Sequence, residues 1–108
     1  MTVRTEELVF HAIEWMREHK ISQVPVEDWK GFVGSVDEAT LLHHYIADKN
    51  IAEKPIKEVM GAAYPIVTLN TSIDKVSKLI TKDSQAVLVD LGEGKHHIIT
   101  KYDIINAI

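Results

Sequence analysis

The chain contains no cysteine. A disulfide framework and a thiolate metal site are both excluded, and a reducing compartment such as the cytoplasm suits it. Long apolar runs are missing as well. None approaches the roughly 18 residues that a membrane-spanning helix needs, and no signal-peptide pattern is visible. Clustered basic charge is the third scarcity. Lys and Arg number 12 against 16 Asp and Glu, for a formal net charge of −4, and no stripe of cations forms anywhere. A phosphate-backbone partner needs such a stripe, so neither nucleic acid nor a membrane surface is expected as a partner. What the chain does have is an ordinary globular balance over 108 residues, with 45% apolar and 26% charged side chains. That is core for one compact domain and little more.

In chain order, Met1–Thr5 has room only for the stump of a strand. From Glu6 to Lys20, Val9, Ala12, Ile13 and Met16 fall at helical spacing, with Thr5 placed to cap and Glu6 and Glu7 suited to the positive end of the dipole. Ile21–Val26 alternates as a strand, and Pro25 marks a position whose N–H no ladder needs. Asp28–Gly31 is read as a turn and Phe32–Val36 as the returning strand of a β-hairpin. Asp37 then caps a helix carrying Leu41, Leu42, Tyr45 and Ile46 to about Lys49. Within Asn50–Tyr64, Pro55 opens a short turn over Ile56–Met60 that Gly61 ends. Ile66–Thr68 is a strand, and Thr71 or Ser72 caps a helix with Ile73, Val76, Leu79 and Ile80. Gln85–Val89 is a strand, Asp90–Lys95 a turn, and Ile98–Ile99 the partner strand. A last helix starts at Thr100.

The order of strand, helix, strand, turn, strand and helix occurs twice. Ser22-Gln23-Val24 lines up with Ser84-Gln85-Ala86, Asp28 with Asp90, and Gly34–Leu42 with His97–Ile105. Two copies, each too small to be stable alone, predict a pseudo-twofold pair rather than a solenoid. The expected fold is α/β (α+β), with tandem β-α-β-β-α motifs over 1–49 and 66–108 and a connector over 50–65. The leading strand of the first motif is short.

The closing stretch, Ile98-Ile99-Thr100-Lys101-Tyr102-Asp103-Ile104-Ile105, sets a hydroxyl, a carboxylate and free backbone N–H groups where a strand turns into a helix. Junctions of this kind take small polar ligands. Together with Met16–Val26, this stretch resembles a pair of cystathionine β-synthase (CBS) domains, a Bateman module, over nearly the whole chain. That resemblance implies a regulatory module that binds an adenosyl ligand (AMP, ADP, ATP or S-adenosylmethionine), acts allosterically on an enzyme, and dimerises into a flat disk. The run Ile21–Val26 and the ending at Ile108 are also similar to the C-terminal regulatory region of cystathionine β-synthases, and the start at Thr2 looks like a cut from a longer chain. Pyridoxal phosphate would then belong to the parent's catalytic half. This chain is expected to have no cofactor and no catalytic residue.

Carried over by resemblance, Asp103 clamps the two ribose hydroxyls and Thr100 reaches ribose or phosphate. An ionised carboxylate can accept from both members of a cis-diol. Ile21, Ser22, Gln23 and Val24 supply the adenine slot, flanked by Ile99 and Tyr102. The competing reading of Asp103 is a capping box that serves only the helix. The first motif has its two residues exchanged, with Asp37 first and Thr40 three residues later, so the cleft it forms with Ser84-Gln85-Ala86 lacks the clamp. One competent site is predicted, or at best one strong and one weak.

The pairs His43-His44 and His96-His97 do not suggest a metal site. Helical neighbours point about 100° apart, and no spaced set completes four ligands. His97 stands where the first motif has Gly34, and could narrow the cleft or meet a ligand anion. Gly92-Glu93-Gly94-Lys95 lacks phosphate-loop spacing and reads as a turn. Lys101 is the clearest cation near the junction, which favours S-adenosylmethionine or AMP over a triphosphate. The alternative function is a module that binds no ligand and only dimerises its parent.

Overall fold

Each of the two strand–helix–hairpin–helix runs closes into its own three-stranded sheet, in a computed structural model that describes residues 2–81 and 86–107. The chain divides into units 1–63 and 64–108. In the first, β1 (Val3–Arg4) lies parallel to β2 (Gln23–Asp28), which pairs antiparallel with β3 (Gly31–Asp37). The crossover between β1 and β2 is α1 (Val9–His19), and α2 (Glu38–Ala47) follows β3. The second unit repeats this with β4 (Ile66–Thr68), α3 (Ile73–Leu79), β5 (Ala86–Gly92), β6 (Lys95–Thr100) and α4 (Lys101–Ala107). Both sheets are therefore mixed, and the class is α+β with a β-α-β-β-α unit in each half. No helix among the described residues is long and apolar enough to cross a membrane.

The periodicities find their cores. Val9, Ala12 and Met16 of α1 pack on Val24, Val26 and Val36, and the connector completes this core with Ile51, Ile56 and Val59. Ile51–Glu53 and Ile56–Glu58 are 3₁₀ turns, of which the sequence reading anticipated the second. An ion pair between Lys54 and Asp48, 3.0 Å, ties the connector to the end of α2. The Asn50 backbone N–H, with Lys54 beside it, holds the Asp48 carboxyl below its ordinary range. The second core is smaller: Val67, Val76, Val87 and Val89, with Leu79, Ile80, Ile99 and Ile104 packed against it.

Four expectations need correction. The first helix begins at Val9 rather than Glu6, and Leu8, not Thr5, precedes it without a side-chain cap. The backbone of 5–8 is engaged elsewhere: Ile56 N–H donates to Glu7 O at 2.8 Å, Lys57 N–H to Thr5 O at 3.0 Å, and Leu8 bridges Pro55. Helical geometry there would withdraw those carbonyls into the helix's own ladder. The second hairpin turns at Glu93–Gly94 rather than across Asp90–Lys95. Both residues have positive φ, 55° and 76°, which makes a tight turn and lets the ladder run on to Gly92 and Lys95. The third helix stops at Leu79, leaving Ile80 extended as its C-cap.

The fourth correction concerns register. Gln23 pairs with Asp37 and Ala86 with Thr100, so Ala86 is the counterpart of Gln23, not of Val24. The alignment on the two Ser-Gln pairs is one residue out, and a one-residue slip exchanges the faces of a strand. Ser84 and Gln85 themselves lie outside the described residues.

Pro25 fits its reading. Opposite it, Ser35 exchanges both backbone hydrogen bonds with Gly61 on the far side of β3, at 3.1 and 2.8 Å. Pro25 and Ser35 are therefore a non-hydrogen-bonded pair, and the proline nitrogen points to the side where β1 has not yet begun.

Candidate functional site

The junction of β6 and α4 forms as the apolar run and its polar stop suggest. Ile98 and Ile99 pair with Leu88 and Val87, and Thr100, the last strand residue, pairs with Ala86. Asp103 stands in the first turn of α4 and turns back. Its Oδ2 accepts from the Thr100 N–H at 2.8 Å and from the Thr100 hydroxyl at 3.2 Å. This is the reaching-back half of a capping box, and it fixes the carboxylate at the helix start. Asp103 is exposed, and its Oδ1 accepts no hydrogen bond among the described residues. One carboxylate oxygen of this exposed side chain is thus pinned, which leaves the other with its acceptor capacity.

At the matching junction of β3 and α2 the chemistry is reversed. Asp37 precedes the helix, and its Oδ1 accepts from the Thr40 N–H at 2.8 Å. The carboxylate is held at the cap, and the position of Asp103 is held by Thr40. The two motifs share a backbone and differ in which residue offers charge.

The other residues singled out from the sequence divide by unit. Ile99 is half-buried against the second core, so its side chain supports the junction from beneath. Tyr102 is 67% exposed on α4, with the Lys101 ammonium 5.7 Å from its ring centroid. In the first unit, Ile21 packs against the core and Val24 is fully buried within it. Val24 also lies in a hydrogen-bonded pair with Val36, so neither its side chain nor its backbone is available. Gln23 is different. It shares the non-hydrogen-bonded phase of Pro25, so its N–H and C=O point away from β3, to the side where β1 has not yet begun. The Ser22 hydroxyl donates to Gln23 Oε1 at 2.7 Å, and Ser22 O accepts the Glu38 N–H at 3.0 Å. The start of β2 is thereby fastened to the start of α2.

A cleft of about 680 Å³ in the first unit was not anticipated; Glu7, His11, Glu14, Trp15 and Glu18 are among its walls. Among the described residues, no three His, Asp or Glu side chains are placed to hold a metal ion. His43 and His44 meet edge to face, 6.1 Å between centroids.

Residues 56–108 match the family model of the CBS domain. Among solved structures, the chain is similar to a protein with CBS domains from Burkholderia ambifaria, at 25% identity and a TM-score of 0.83, over 98% of this chain and 79% of that one. It is similar to a CBS-domain containing protein from Agrobacterium tumefaciens at 22% identity and a TM-score of 0.84, over 99% and 87%. A third is CBSX2 of Arabidopsis thaliana in complex with AMP, at 23% identity and a TM-score of 0.75, over 99% and 85%. No curated protein matches the chain. At these identities the structural likeness speaks for the fold, while the family rests on the sequence match of the second half. Residues 56–108 therefore belong to the CBS domain family, and the chain as a whole has the fold of proteins that carry CBS domains.

Proposed function

We propose that this chain is a regulatory binding module whose ligand is an adenosine nucleotide of the AMP class, held through its ribose by Asp103. The observation that carries the proposal is the half-committed carboxylate: an exposed Asp103 in the first turn of α4 with Oδ2 pinned by Thr100. A cis-diol needs an ionised acceptor in a fixed place, and at the matching junction of the first motif the position of Asp103 is held by Thr40, with the carboxylate of Asp37 at the cap instead. The motifs over 1–49 and 66–108, with their connector, accordingly carry one ribose clamp. Thr100 and Tyr102 accompany Asp103, over a floor supplied by Ile99.

Of the adenosyl ligands expected from the sequence, AMP has support from CBSX2, a protein of the same fold in complex with it. S-adenosylmethionine, and a parent cystathionine β-synthase with its pyridoxal phosphate, gain nothing from the comparisons. The proposal is accordingly the broader one, a module that regulates another protein by binding. Regulation follows if the ligand prefers one of two arrangements of the controlled partner.

The test of the clamp is chemical. Removing one hydroxyl, as in 2′-deoxy-AMP, takes away a charge-assisted hydrogen bond, and affinity is expected to fall about tenfold or more against AMP. Equal affinities would remove the clamp from the account.

The module is also proposed to form homodimers, because α2 leaves Leu42, Tyr45 and Ile46 at 60%, 46% and 71% exposure on one short helix. Sedimentation should show a dimer that Ile46→Glu weakens. A wild-type monomer at every concentration would exclude it.

A further inference from the structure

Leu41 is the one residue of α2 that is buried, and it packs into the core of unit 1. The solvent side of the helix carries Leu42, Tyr45 and Ile46, all exposed. Charge frames these apolar residues. Glu38 opens the helix and is exposed. Lys49 follows the C-cap, Asp48, and sets its ammonium 5.1 Å from the Tyr45 ring centroid, on the side of the apolar residues. Neither Glu38 nor Lys49 has an ion-pair partner among the described residues.

Glu38, Leu42, Tyr45 and Lys49 are spaced four, three and four residues apart, the interval of a coiled-coil seam, with Ile46 beside it. A seam this short still has a direction, with an acid at its start and a base at its end. Laid parallel on the same seam of a second copy, it would oppose Glu38 to Glu38 and Lys49 to Lys49. Laid antiparallel, it opposes Glu38 to the partner's Lys49 at both ends and Leu42 to the partner's Tyr45 between them. Only the antiparallel pairing brings opposite charges together, and it maps onto itself under a twofold axis, as a closed dimer requires. The helix dipole favours the same two signs at the same two ends.

We propose that two copies of this chain pair through α2 in antiparallel register, with Glu38 of each copy against the partner's Lys49. This pairing rests on the homodimer read from the same helix, and adds its direction and register. A rival surface lies on α4, where strand register puts Lys101 and Ile105 at the places of Glu38 and Leu42. Among the described residues the seam of α4 carries the basic sign alone, whereas that of α2 carries both and complements itself.

Sedimentation of the full chain in low salt, where exposed charges are least screened, tests the register by charge reversal. Glu38→Lys and Lys49→Glu should each raise the dimer dissociation constant about tenfold, because both ends of the twofold interface become like-charged. The Glu38→Lys/Lys49→Glu double variant should recover the wild-type affinity. So should an equimolar mixture of the two single variants, in which every charge again meets its opposite. Recovery on mixing cannot arise from a folding defect in either variant. A wild-type dimer indifferent to both reversals overturns the register and leaves the homodimer standing, whereas a chain that is monomeric at every concentration overturns both. Weakening by Lys101→Glu with no response to Lys49→Glu would seat α2 on the partner's α4, and that result also overturns the proposal.

Discussion

Gly34 and His97 hold the same place in two copies of one motif, and the difference between them is steric. At Gly34 an added Cβ would meet Met60 Sδ at 2.7 Å and the Gly61 carbonyl oxygen at 2.9 Å. The sulfur can swing aside, whereas the backbone oxygen cannot without breaking the Ser35–Gly61 exchange. Gly34→Ala should therefore lower stability by roughly 1–3 kcal/mol in urea unfolding. Gly61→Ala is the control: its Cβ would find Ser35 Oγ at 3.9 Å, an ordinary contact, and should be nearly neutral. Equal costs for the two would contradict this account of the packing. The sequence showed that glycine and histidine had exchanged at matched positions. It could not show that a methionine 26 positions beyond Gly34 in the chain was the reason.

At the scale of elements, the two helix starts show how one backbone serves two chemistries. Asp37 spends its carboxylate on the Thr40 N–H, so Asp37→Ala should cost about 1 kcal/mol by thermal melting. It should leave nucleotide affinity unchanged; a matching loss of affinity would mean that the first junction also binds. The hairpins, the order of elements along the chain, the cap at Asp37 and a cap at Thr71 or Ser72 were legible because local alternation and capping chemistry decide them. The start of α1 was not. Thr5, Glu6 and Glu7 carry good signals for a helix start, but the carbonyls of Thr5 and Glu7 are claimed by Lys57 and Ile56, far along the chain. The register of β5 was misread for a related reason. Two Ser-Gln pairs invite an alignment that the hydrogen-bonded ladder, anchored at Thr100, sets one residue away.

For the molecule as a whole, the repeat was the most informative feature of the sequence, because it turned a single capped helix into a comparison. The comparison shows one polar junction with its aspartate in the first turn of the helix and one with its aspartate at the cap. It also shows one core completed by a connector and one that is open. The polar asymmetry was visible in the order of Thr and Asp. The packing asymmetry appeared only once strand register had been fixed.

The central claim is that Asp103 makes this chain a one-site nucleotide module. Calorimetric titration of AMP into the wild-type chain and into Asp103→Asn tests it most directly. The account predicts saturable binding of one AMP per chain, with affinity lost by about tenfold or more in the variant. Two equivalent sites per chain, or an Asp103→Asn variant that binds as the wild type does, would contradict it.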